Sequence, residues 1–225
     1  MDRGPRDGDD RPGRGPRGSK TRRSKTREKR KSRPLDRTVM RDLALSYVAR
    51  FATTGAKLEA YLARKIRERG VAEDGDGRSV ELDVPGLVAD FVDKGYVDDD
   101  AYARARARDL TGRGFGARRV EQALWAAGVE EEVRADHAPD EGESRNAAVL
   151  LAKKRRFGPF GIETEDEADY SERSKKRDKQ IAAMLRAGHS FTHAAFIVDA
   201  AEMEEIEDWL AETQEDDMDR TREQW

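Results

Sequence analysis

Three histidines are the side chains best suited to chemistry in a chain that contains no cysteine. His189 and His193 stand four residues apart, a spacing that would place both imidazoles on one helix face, where they could share a zinc ion. Zinc needs further ligands at fixed positions, and the residues between them read Ser-Phe-Thr, so the glutamate of an HExxH site is missing. Surface or capping histidines are the simpler reading of this pair. His137 lies in a loop-like stretch and has no argued role. Without cysteine there are no disulfides, thiolate metal sites or cysteine nucleophiles. The many acids form no paired-carboxylate site, and no Ser/His/Asp or Gly-x-Ser-x-Gly pattern is present. The chain is expected to be no enzyme and to use no metal or cofactor.

Anion binding is the chemistry the sequence supports better. Gly112-Arg113-Gly114-Phe115-Gly116 precedes Arg118 and Arg119, and backbone amides at a helix start beside arginine suit a phosphate. No strand precedes this run, and neither the Walker nor the dinucleotide spacing occurs, so a glycine-rich turn between helices explains it more cheaply. Two basic clusters follow, Lys153-Lys154-Arg155-Arg156 and Lys175-Lys176-Arg177. Contiguous charges on a helix cannot all face one way, so part of each run is solvated in any fold. The remainder can converge on an acidic partner or nucleic acid. Arg118, Arg119 and these seven residues are the candidate binding positions.

The elements that would carry them recur. An aliphatic residue followed four later by leucine occurs at Leu58/Leu62, Val120/Leu124 and Ile181/Leu185, and a glycine follows each pair at Gly70, Gly128 and Gly188. A period near sixty residues with a repeated closing glycine predicts tandem helical modules. Such modules present surfaces to partners more readily than they enclose pockets. With 36% apolar and 40% charged residues, the core is lean for a compact enzyme but adequate for small helical units sharing faces. No run of apolar residues is long enough to span a membrane, and no secretory signal core follows the basic N-terminus, so a cytoplasmic monomer is expected.

Apolar spacing divides the chain into an arm at 1–34, modules at 35–97, 98–140 and 144–200, and a C-terminal helix with an acidic tail at 201–225. The arm holds fourteen Arg/Lys against five Asp/Glu and almost no apolar side chains, which predicts disorder and either a phosphate contact to single- or double-stranded DNA or a solubilising tail with no specific partner. In module 1, Val39, Leu43, Tyr47 and Phe51 form one stripe. A helix near 56–69 uses Leu58, Tyr61, Leu62 and Ile66, and one capped by Asp83 turns Leu87, Val88, Phe91 and Val92 inward. In module 2, Ala101, Tyr102, Ala105 and Leu110 make a narrow stripe, and Val120, Ala123, Leu124 and Ala127 a second; Val129 and Val133 mark a short third helix. Module 3 begins near Ser144 after a loop at 139–143 and uses Ala147, Ala148, Leu150 and Leu151. After an acidic insertion at 161–172, a helix near 175–187 carries Ile181, Met184 and Leu185. Ser190 caps a helix with Phe191, Ala194, Ala195, Ile197 and Val198. A last helix over 202–213 uses Met203, Ile206, Trp209 and Leu210 before the tail frays. No alternating strand pattern appears, and the fold class is all-α.

The run Gly95-Tyr96-Val97-Asp98-Asp99-Asp100-Ala101-Tyr102-Ala103 resembles the signature that opens the second helical repeat of the RecX family of bacterial recombination regulators. The likeness continues through Gly116, Arg119, Val120, Leu124, Gly128 and Val129. In the third repeat it includes Arg156-Phe157-Gly158, Lys179-Gln180, Leu185-Arg186, Gly188 and Ser190-Phe191. The first repeat is looser, with Ala44, Tyr47, Arg50, Leu58 and Leu62. The resemblance implies three tandem three-helix modules in an elongated, curved array. It also implies binding to the RecA recombinase along its filament on single-stranded DNA, with suppression of strand exchange, ATP hydrolysis and co-protease activity. The competing expectation is a nucleic-acid-binding accessory protein with no RecA specificity.

Overall fold

The computed structural model describes residues 33–161 and 170–223, the last ten of these as backbone alone. The expected disorder of the basic arm and most of the acidic insertion therefore lie outside the described residues. Ten α-helices and one 3-10 turn form among the described residues, and no strand does. Two isolated bridges, Leu35 with Val71 and Glu73 with Ser79, tie loop segments only. The fold is all-α.

Three hydrophobic cores succeed one another along the chain. The first joins α1 (Arg37–Val48), α2 (Gly55–Arg69) and α3 (Val84–Asp93). Asp36, Thr54 and Asp83 start these helices, each side chain accepting a backbone N–H of the first turn. The inward residues are Leu35, Met40, Ala44, Leu58, Leu62, Val88, Phe91 and Val97. The expected first stripe is only partly realised. Val39, Leu43 and Tyr47 are half-buried at its edge, while Phe51 lies beyond the helix and is 57% exposed. Steps of four residues overshoot a helical turn by about 40° each, so a long stripe of that period drifts off the buried face. Val92 also points outward, because Val88 and Phe91 already occupy the inner face.

The second core is made by α4 (Asp99–Gly112), α5 (Ala117–Trp125) and α6 (Glu131–Asp136). Asp98 caps α4, and Asp99 and Asp100 stand at its positive end. Ala101 and Ala105, expected inside, face solvent, and Ala103, Ala107 and Leu110 are buried instead. Alternate alanines offer two registers, and only 103/107/110 keeps helical spacing with Leu110. The third core gathers α7 (Glu141–Arg155), α8 (Tyr170–Arg186), α9 (Phe191–Asp199) and α10 (Met203–Glu223). Helix α7 starts inside the stretch read as a loop. Asp140 and Glu143 form a reciprocal capping box there, a start signal hidden in a loop-like composition. Helix α8 begins at Tyr170, ahead of the expected start. Helix α10 continues to Glu223 where fraying was expected, since no glycine or proline interrupts 203–223. It packs on α7; Trp209 stacks on Phe196 with centroids 4.7 Å apart, and the Arg145 guanidinium lies 4.7 Å from the Trp209 ring.

Four helix ends close identically. At Gly95, Gly114, Gly128 and Gly188 the next residue's N–H returns to a carbonyl five residues back, with φ between +69° and +97° at the glycine. Arg156 ends α7 the same way at φ +57°, as the one non-glycine at positive φ among the described residues.

Two of these glycines also make the joints between successive cores. A Cβ on Gly128 would land on the Ala56 Cβ at the start of α2, well inside contact distance. On Gly188 it would meet the Arg119 backbone N at 2.5 Å, at the start of α5. Hydrogen bonds reinforce both places. The Thr54 hydroxyl donates to Ala127 O at 2.5 Å, and Gly116 N donates to Ala187 O at 3.0 Å. Arg118 N adds a bond to Gly188 O at 3.2 Å. Thr54 and Gly116 hold equivalent positions before α2 and α5, as do Ala127 and Ala187 before the joint glycines. The same joint is built twice. At the front of the series, Gly70 O is taken by Leu35 N at 2.9 Å.

Candidate interaction surface

The second joint opens outward into a groove of about 430 Å³ lined by Arg118, Arg119, Glu121, Gln122, Trp125, Leu185, Arg186 and Gly188. Arg118, Gln122 and Trp125 recur along α5 at spacings of four and three, which puts them on the face opposite buried Val120 and Leu124. Trp125 is 67% exposed. Leu185 was expected in the third core, but Met184 takes that place and Leu185 is 39% exposed in the groove. Neighbouring residues on a helix differ by about 100° in direction, and with Met184 fully buried Leu185 is turned to the side, where it reaches the groove. The repeating Leu pair therefore keeps its inward role at Leu62 and Leu124 and loses it at Leu185.

Charge in the groove is one-sided. Among the described residues no carboxylate pairs with Arg118, Arg119 or Arg186, and Arg119 Nη1 donates only to Gln122 Oε1 at 3.1 Å. Glu121 is already occupied by Arg134 at 2.7 Å. The backbone amides of Arg118 and Arg119 are spent on Gly188 O and Gly116 O. With these two amides spent, an anion at this helix start would depend mainly on guanidinium groups, which favours the turn reading of 112–116.

The other basic candidates are not gathered with these. Lys153, Lys154 and Arg155 face solvent on the last turn of α7; Lys154 Nζ donates to Arg113 O at 3.1 Å, and Lys153 Nζ lies 5.6 Å from the Phe160 ring centroid. Arg156 is exposed at its left-handed cap. Lys175 and Lys176 line a separate groove with Phe157, Glu172, Lys179, Gln180 and Ala183. Arg177 is committed to Asp199, donating from Nε and Nη2 at 2.5 and 2.6 Å, and its guanidinium holds that carboxyl below the usual range.

The histidines are separated as well. His189 precedes α9, is 2% exposed and buried at the second joint, where Nε2 donates to Gly114 O at 3.1 Å. It is not the surface residue expected, because the joint closes over it. Nδ1 has no hydrogen-bond partner. Burial pushes the His189 pKa below the ordinary value and repulsion from His193 adds to this, against the opposing bond to Gly114. His193 lies within α9 and reaches Glu141 at 3.1 Å, while His137 reaches Asp100 at 2.6 Å. Among the described residues no group of His, Asp and Glu is placed to hold a metal ion, and no helix is long and apolar enough to cross a membrane.

These features define a tandem helical-repeat protein whose candidate site is an open groove at a module joint, with arginines around an exposed tryptophan. No family model matches the chain. It is 34% identical over 180 residues to the regulatory protein RecX of Myxococcus xanthus, a match covering 78% of this chain and 92% of that one. The regulatory protein RecX of Agrobacterium fabrum is 35% identical over 116 residues, 52% of this chain and 58% of the relative. The crystal structure of RecX from Lactobacillus salivarius shares the fold with a TM-score of 0.52 at 16% identity, over 73% of this chain and 95% of that chain. A second RecX crystal structure does so at 0.53 and 18%, over 73% and 72%. The chain belongs to the RecX family.

Proposed function

We propose that this protein regulates the RecA recombinase by binding its filament on single-stranded DNA and suppressing strand exchange, ATP hydrolysis and co-protease activity in the cytoplasm. Membership of the RecX family along 180 residues carries this reading. The open groove supports it, since a regulator acts through contact and needs exposed recognition groups. In this reading 35–97, 98–140 and 144–200 are the repeating modules, and each can touch a different filament subunit. Weak contacts then gain from effective concentration once the first is made. Arg118, Arg119, Lys153, Lys154, Arg155, Arg156, Lys175 and Lys176 supply cationic contacts, and Arg177 contributes least because Asp199 holds it. The arm at 1–34 adds a phosphate contact to DNA.

The test is RecA ATPase on single-stranded DNA with the full chain titrated in. Inhibition well below one regulator per RecA is the expected result. Inhibition only when the DNA is coated with this protein would overturn the reading in favour of a general nucleic-acid binder.

A further inference from the structure

We propose that the groove between α5 and the α8–α9 turn docks an acidic segment of a protein partner carrying one apolar anchor residue. Trp125 and Leu185 receive the anchor, and Arg118, Arg119 and Arg186 take carboxylates on either side of it. This deepens the regulatory reading above and rests on it for the premise that the partner is a protein.

Three observations carry the assignment. The floor is apolar yet uncovered: a tryptophan 67% exposed sits beside a leucine that its own core has left out. The rim is cationic and unneutralised, since Glu121 belongs to Arg134 and no described acid reaches Arg118, Arg119 or Arg186. The side-chain types match those that dominate protein interfaces, where tryptophan and arginine are over-represented among the energetically important positions. Guanidinium binds carboxylate through paired N–H donors, so acidic side chains complement this rim in geometry as well as in charge.

A single nucleic-acid strand is the competing occupant, because a base can stack on an indole. Its affinity rests largely on counterion release from many phosphates, and three arginines can neutralise few. An anchored acidic peptide draws on apolar burial that salt leaves intact. The groove favours the peptide.

The probe is a short fluorescein-labelled peptide of glutamates and aspartates around one central phenylalanine, titrated with the full-length protein and read by anisotropy. Replacing the peptide phenylalanine by alanine, or Trp125→Ala in the protein, should weaken binding at least tenfold. The double variant Arg118→Glu/Arg186→Glu should do the same, whereas Arg67→Glu/Arg78→Glu, the same charge change at exposed positions outside the groove lining, should change little. A labelled oligothymidylate of equal length should be indifferent to Trp125→Ala. No binding of the peptide, equal loss in the Arg67/Arg78 variant, or loss of oligothymidylate binding in Trp125→Ala would each overturn the proposal. The RecA ATPase assay separates the two readings. Peptide binding without RecA inhibition removes RecA as the target and leaves the groove, whereas peptide affinity unchanged in Trp125→Ala with RecA inhibition intact removes the groove alone.

Discussion

Gly128→Ala is the sharpest probe of how the modules are joined. Gly95 and Gly128 end their helices with the same hydrogen-bond pattern, at φ +69° and +74°. Alanine at either must adopt a left-handed conformation, at a cost of about 1–2 kcal/mol. Space then divides them. Nothing lies within 4 Å of a Cβ on Gly95, whereas on Gly128 it would collide with the Ala56 Cβ. Overpacking of this kind costs about 1–3 kcal/mol. Gly128→Ala should therefore lose about 2–5 kcal/mol and Gly95→Ala about 1–2, the difference reporting the joint alone. Urea unfolding with linear extrapolation measures both. Ala56→Gly removes the opposing methyl, so in the Gly128→Ala background it should restore at least ~1 kcal/mol beyond its own effect, as a coupling in a double-mutant cycle. Equal losses at Gly95 and Gly128, with no coupling to Ala56, would refute the joint.

Protonation and strain give two further predictions. His189 is held neutral by burial, so the unfolded chain binds its proton more readily than the folded one. Stability from this residue is complete above its unfolded pKa of about 6.5 and falls as the solution is acidified below it, by at most ~1.4 kcal/mol per pH unit. His189→Gln should flatten the dependence of urea midpoint on pH between about 6.5 and 5, above the range in which the paired carboxylates titrate; an unchanged slope would show that the joint does not bury a neutral imidazole. Arg156 holds a left-handed cap that glycine occupies at four other helix ends. Arg156→Gly should stabilise the chain by about 1 kcal/mol in the same assay, and a loss would mean that the side chain contributes more than its backbone costs.

Much of the fold was legible because its signals are local. Asp83 and Ser190 cap helices where short polar residues precede apolar spacing, and Leu58, Leu62, Val120 and Leu124 pack where their periodicity puts them. The errors arose where the pattern was degenerate or the deciding contact lay far off in sequence. Alternating alanines on α4 left its register open, and the choice belongs to Leu110 and its neighbours. His189 became a joint residue through Gly114, 75 positions away. Of the candidate site, Arg118 and Arg119 were found by charge, but Trp125, Leu185 and Arg186 were not. A partial signal existed: Leu124-Trp125 and Met184-Leu185 are both adjacent large apolar pairs on amphipathic helices, and each pair exposes one member. That two such outcasts would meet in one groove depended on the joint, which periodicity alone does not encode.

The bond from Leu35 N to Gly70 O has a consequence for self-assembly. Each later module presents its closing carbonyls to the helix start of the module before it, so the series has a direction and, in principle, an addition site at its leading edge. Leu35 fills that site from within the same molecule. A second copy would have to strip it away before stacking its own helix start there. Leu35 thus closes the leading edge of the series from within the same chain, and the Gly70 carbonyl is already spent when any other helix start approaches it.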